Sequence, residues 1–147
     1  MERFVVAGVL IAAALAVAFV LDRRRPDPPT QEPWKTPAQL DREDFAAPDA
    51  PWLVAVFTSA TCDSCRDAVD KASVLASASV AFQEVPVQQD GALHERYSIE
   101  AVPTIVVADA EGVVRRAFVG PPTATDLWAA VAEARAPGST PEPELGA

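Results

Sequence analysis

The stretch Trp52–Cys65, WLVAVFTSATCDSC, decides how the rest of the chain is read. Its first six residues, Trp52 to Phe57, form a continuous apolar run with β-branched and aromatic side chains. Such a run predicts a strand buried on both faces. From Cys65 to Ser77 the period changes, and Ala68, Val69, Ala72, Leu75 and Ala76 recur at helical spacing. The motif Cys62-Asp63-Ser64-Cys65 therefore follows a buried strand and opens a long helix. A thiol at a helix N-terminus faces unsatisfied N–H groups and the positive end of the helix dipole, and both favour thiolate. The two-residue spacing brings the sulfurs within bonding distance across one turn. C-x-x-C is also half of many zinc sites, but this chain has no second pair, and the strand-to-helix setting is the one redox motifs use. A partial metal site and an incidental pair of cysteines are the alternatives.

Working outward, the periodicities alternate. Val80 to Val87 reads as a second strand, Leu93 to Tyr97 as a short helix, and Thr104 to Ala108 as a third buried strand. Asp109-Ala110-Glu111-Gly112 is a turn of hairpin length, leading into a more exposed strand, Val113 to Val119. A closing helix is expected over Thr125 to Arg135, with Leu127, Val131 and Ala134 on one face and Thr123 or Thr125 as cap. Gln39 to Phe45 adds a strand and a short helix at the front. The order βαβαββα implies an α/β fold with a central mixed sheet flanked by helices. His94, in the polar neighbourhood LHERY, reads as a solvated surface group. Trp34, Trp52 and Trp128 read as packing anchors.

The chain has 147 residues with 14 prolines, 2 cysteines, 1 histidine and a formal charge of −9. That length suits one domain with appendages. With half its residues apolar, the chain can build a packed core. The acidic balance excludes nucleic acid as the main partner. Two cysteines cannot make a disulfide scaffold, nor close a four-ligand structural zinc site with one histidine. No phosphate loop, nucleotide fingerprint or Ser-His-Asp set is present.

The appendages are distinct in composition. Phe4 to Leu21 (FVVAGVLIAAALAVAFVL) carries no charge and no proline. As a helix it spans about 27 Å, close to a hydrocarbon core of about 30 Å. Residues 1–22 are read as a transmembrane anchor. A cleaved signal peptide is the alternative, with Ala16-Val17-Ala18 as its small-residue site. One basic residue, Arg3, precedes the apolar run and three, Arg23, Arg24 and Arg25, follow it. The positive-inside rule then puts the following domain on the cytoplasmic side of a single-pass cell-membrane protein, with the extracytoplasmic side as the alternative. Residues 23–38 form a Pro-rich linker, expected to be extended at about 3.1 Å per residue. Residues 39–136 form the folded domain, and 137–147 a disordered acidic tail.

The folded domain resembles the thioredoxin family, over roughly Gln39 to Arg135. The resemblance rests on the strand WLVAVF, the motif CDSC with Arg66 after it, and Ala101-Val102-Pro103-Thr104 downstream. The hairpin DAEGVV and Phe118-Val119-Gly120 before the last helix match in order and spacing. The likeness is strongest to bacterial membrane-tethered thioredoxin-like proteins. It implies a thioredoxin-like fold with a cis proline at Pro103 lying against the cysteine pair, and Val102, Pro103 and Thr104 as a substrate-binding segment. It also implies a redox-active disulfide, Cys62–Cys65, needing no further cofactor and no metal. Two departures matter. Thioredoxins carry Trp-Cys-Gly-Pro-Cys where this chain has Thr61-Cys62-Asp63-Ser64-Cys65. They also place a buried aspartate six residues before the first cysteine, where this chain has Val56.

The reading that results is an enzyme, a membrane-anchored thiol–disulfide oxidoreductase. Cys62, the more exposed thiol, is the nucleophile, and Cys65 resolves the mixed disulfide. Asp63, Ser64 and Arg66 tune the pair, Asp63 opposing thiolate and Arg66 offsetting it. The expected partners are protein disulfide or dithiol substrates and a thiol reductase or membrane electron carrier, with the chain acting as a monomer. The competing reading is a non-enzymatic thioredoxin-fold module that tethers a partner or holds a soft metal such as copper(I).

Overall fold

A central strand, β1 (Trp52–Thr58), organises the molecule. The computed structural model describes residues 34–138. The expected membrane helix over residues 4–21, the linker up to Pro33 and the tail from residue 139 lie outside the described residues. Among the described residues, no helix is long and apolar enough to cross a membrane.

β1 pairs in parallel with β2 (Val80–Pro86) and antiparallel with β3 (Thr104–Asp109). β3 in turn pairs antiparallel with β4 (Val114–Val119), giving a mixed four-stranded sheet of order β2-β1-β3-β4. The two central strands are the two continuous apolar runs of the sequence, as burial on both faces requires. Leu53, Ala55 and Phe57 point to one face, where they pack with Leu40, Phe45, Val85 and Tyr97. Val54 and Val56 point to the other, against Ala68, Ala72, Leu127 and Val131. The second face is covered by α1 (Asp63–Ser73) and α3 (Ala124–Arg135), and the first by α2 (Val87–Arg96) and the segment ahead of β1. β4 lies at the edge and is only partly buried, which explains its weaker apolar pattern.

The front segment combines an isolated antiparallel bridge, Gln39 to Val113, with one 3₁₀ turn over Arg42–Asp44. The hairpin joining β3 to β4 is built by Asp109, whose Oδ1 accepts the Glu111 and Val113 N–H groups at 3.1 and 2.8 Å. Gly112 holds φ +79°, and a Cβ there would collide with the Leu40 carbonyl, so the turn needs glycine. Thr123 caps α3, its Oγ1 accepting the Asp126 N–H at 3.1 Å.

Three expectations are corrected. The helix read at Leu93–Tyr97 begins at Val87, with a non-helical residue at Asp90 (φ −119°, ψ 38°). Its first turn, Val87-Gln88-Gln89-Asp90, has no apolar periodicity to announce it. That helix turns His94 inward rather than to solvent. The ring is 6 % exposed, packs edge-on against Phe57, and its Nε2 donates to the Val85 carbonyl at 2.8 Å. Of the tryptophans, Trp52 packs against the core, whereas Trp34 and Trp128 are about half exposed. Trp128 is held instead by its indole N–H on the Lys71 carbonyl.

Candidate redox site

Cys62 is the N-cap residue of α1, in extended conformation (φ −101°, ψ 107°), and Cys65 sits in the first turn. The sulfurs are joined, with Cα atoms 5.4 Å apart and a Cβ–S–S–Cβ angle of 90°. Their exposure differs. Cys62 is half-buried and Cys65 is 4 % exposed. An attacking partner can therefore approach Cys62 and not Cys65. Ser64 places its hydroxyl 3.7 Å from Cys62 Sγ, where it can donate to sulfur. Asp63 and Arg66 are both exposed, so water screens their charges.

The segment before Cys62 is a tight turn in which the Ser59 carbonyl accepts the Cys62 N–H at 3.1 Å. The register places a second segment at the same end of the sheet. β1 runs toward the cysteines and β3 runs back, with Phe57 opposite Thr104. Residues 102 and 103 thus lead into β3 at the edge where Cys62 leads into α1. The Val102–Pro103 peptide is cis. Pro103 is buried, and its carbonyl accepts the Gly120 N–H at 2.8 Å. Thr104 is buried, with its hydroxyl on the Ala101 carbonyl. From the other side Lys71 of α1 donates to the Pro122 carbonyl at 3.1 Å and pairs with Asp67. The turn at residues 59–62, residues 101–103 and Gly120 lie at one end of the sheet.

Val56 is fully buried on the α1 face, so no carboxylate stands beneath the cysteines on β1. The neighbouring strand carries an exposed carboxylate on that face. Glu84 of β2 is in register with Val56, and its Oε1 accepts the hydroxyl of buried Thr58 at 2.8 Å. Both residues share the parity of Phe82 and Val54, which face α1. Sequence reading missed this pair, because finding it requires the parallel register of two strands.

Among the described residues, no group of three or more His, Cys, Asp or Glu side chains is arranged to hold a metal ion.

This assembly is similar to solved structures of thioredoxins. A thioredoxin from Fasciola hepatica aligns over 58 % of this chain and 83 % of its own, with 27 % identity and a TM-score of 0.52. The fold is thioredoxin-like. Two more distant structures agree at the level of fold. The Drosophila melanogaster thioredoxin Deadhead has 22 % identity and a TM-score of 0.54, covering 62 % of this chain and 88 % of its own. Spinach chloroplast thioredoxin f has 20 % identity and a TM-score of 0.53, over 71 % and 99 %. No family model and no curated protein matches the chain. Within the thioredoxin-like domain, the cysteine pair occupies the strand-to-helix junction and the cis proline immediately precedes β3.

Proposed function

We propose that the protein is a membrane-anchored thiol–disulfide oxidoreductase. The observation that carries this reading is the unequally exposed Cys62–Cys65 disulfide at the start of α1. In the reduced state, the Cys62 thiolate attacks one sulfur of a substrate disulfide, forming a mixed disulfide and releasing one substrate thiolate. The Cys65 thiolate then attacks Cys62 Sγ, restoring the internal disulfide and releasing the second substrate thiol. Two electrons pass to the substrate, and a thiol reductase or membrane electron carrier returns them. Val102, Pro103 and Thr104 are the segment along which a substrate strand lies. Proline has no N–H to compete for that strand's acceptors, and the Pro103 carbonyl is already engaged by Gly120. Ser64 donates to the Cys62 thiolate, while Asp63 and Arg66 act on it weakly across solvent.

The apolar run Phe4–Leu21 and the arginines after it support a membrane anchor with the domain on the cytoplasmic side, where it would act as a reductant. The full chain in detergent should reduce insulin with a chemical reductant as electron source. If it binds partners but leaves insulin disulfides intact, the non-enzymatic reading replaces this one.

A further inference from the structure

The turn that carries Cys62 is held from another element by one side chain. Gln88, in the first turn of α2, accepts the Ala60 N–H on Oε1 at 3.2 Å and donates from Nε2 to Ser59 Oγ at 3.0 Å. The orientation of the amide is determined by its partners, since a backbone N–H can only donate. Ser59 extends the network, its Oγ accepting the Thr61 N–H at 3.4 Å and lying 3.2 Å from Thr61 Oγ1. Its carbonyl takes the Cys62 N–H. Each residue from 59 to 62 is therefore tied, directly or through one neighbour, to a side chain outside the turn. Ala60 and Thr61 are exposed and have no apolar packing to fix them.

We propose that Gln88 is a positioning residue for Cys62. By fixing the turn, it keeps Cys62 at the N-cap position of α1, where the positive end of the helix dipole favours thiolate. An amide suits this task. It offers the acceptor that Ala60 needs and the donor that Ser59 Oγ can receive, without placing a charge beside the thiolate. The inference rests on the reading of Cys62 as the attacking thiol.

The test uses the full reduced chain in detergent and the pH profile of Cys62 alkylation by iodoacetamide, with Cys65→Ser to isolate one thiol. In that background Gln88→Ala should slow alkylation near neutral pH by about three- to tenfold, the factor carried by one or two net hydrogen bonds. The midpoint of the profile should move to higher pH. Ser59→Ala, which removes the same contact from the other side, should slow it in the same direction, and the double variant should add little beyond Gln88→Ala. A loss of thermal stability with an unmoved midpoint in both variants would overturn the proposal and leave Gln88 a structural tie only. Alkylation is independent of disulfide exchange. A wild-type chain that fails to reduce insulin would sink the oxidoreductase reading and still allow the Gln88 result to be read.

Discussion

At the scale of single residues, the unequal burial of the two cysteines supports the different tasks proposed for them. Cys62→Ser should abolish thiol exchange, because the buried Cys65 cannot be reached by a protein partner. Cys65→Ser should leave the attack intact and accumulate mixed disulfides, visible as reductant-sensitive adducts on non-reducing gels. Faster alkylation of Cys65 than of Cys62 in the reduced native chain would reverse the assignment. Val56 gives a second prediction. A carboxyl introduced by Val56→Asp would be buried, and it would share the α1 face with Glu84 one strand away. Desolvation and a neighbouring like charge both push an acid toward its protonated form. The variant should therefore lose about 2–4 kcal/mol of stability. It should speed insulin reduction mainly above neutral pH, where the new acid ionises. Adding Glu84→Gln should bring that gain to lower pH. Equal acceleration at pH 6 and pH 8 in Val56→Asp alone would show that Glu84 does not act on position 56.

At the scale of elements, the parts legible in the sequence were those with a strong local period. β1 and β3 are unbroken apolar runs because both their faces are covered, and Thr123 announces α3 by its capping hydroxyl. The first turn of α2 had no such signal, since Val87, Gln88 and Gln89 are exposed and Gln88 bonds to the turn ahead of Cys62. The cysteine pair was legible from spacing and residue type, and the cis Pro103 through the family resemblance that Ala101-Val102-Pro103-Thr104 carries. The Glu84–Thr58 and Gln88–Ser59 contacts were not, because they join residues far apart in sequence. Arg42 shows the same limit. It is 7 % exposed, and its guanidinium donates to the Ala47, Ala50 and Asp109 carbonyls at 3.2, 2.9 and 2.9 Å, acceptors that only the folded chain assembles. Burial pushes its pKa below the ordinary arginine value, and Asp109 opposes that shift.

The tie between α2 and the front segment has a measurable pH signature. The Tyr97 hydroxyl donates to Asp44 and accepts the Asp41 N–H at 2.9 Å, and Arg96 pairs with Asp41 and Asp44 at 3.0 and 3.2 Å. Burial, with help from the Asp44 hydrogen bond, raises the Tyr97 phenol above its ordinary value of 10.0. Below that pH the phenol is protonated in both the folded and unfolded chain, and its contribution is complete. Above it, the unfolded chain gives up the proton first, so stability falls as pH rises toward the folded value. Tyr97→Phe should cost about 1–2 kcal/mol at pH 8. It should also flatten the decline above pH 10, as read by urea denaturation at pH 8 and 11. A decline of unchanged slope in the variant would mean that another group drives it.

At the scale of the whole molecule, the direction of electron flow depends on where the thioredoxin-like domain is held. In the proposed reading, the Pro-rich stretch after the apolar run tethers the domain to a membrane anchor. A thiol tethered in that way would meet membrane-proximal disulfides at a raised effective concentration. The same cysteine chemistry runs as reduction on the cytoplasmic side, where thiol pools are reducing, and needs a transmembrane electron supply on the other. Residues 1–21 should keep the full chain in the membrane fraction through carbonate washing, because an apolar helix of this length is not displaced by alkali. A membrane-impermeant maleimide applied to intact, reductant-treated cells should leave Cys62 unlabelled, and permeabilisation should expose it, if the domain lies on the cytoplasmic side as proposed from Arg23, Arg24 and Arg25. Labelling of intact cells would reverse the orientation and make the domain dependent on a membrane thiol carrier. A mature chain beginning near Asp22 would go further, because loss of the apolar segment means that the domain crossed the membrane and works there untethered.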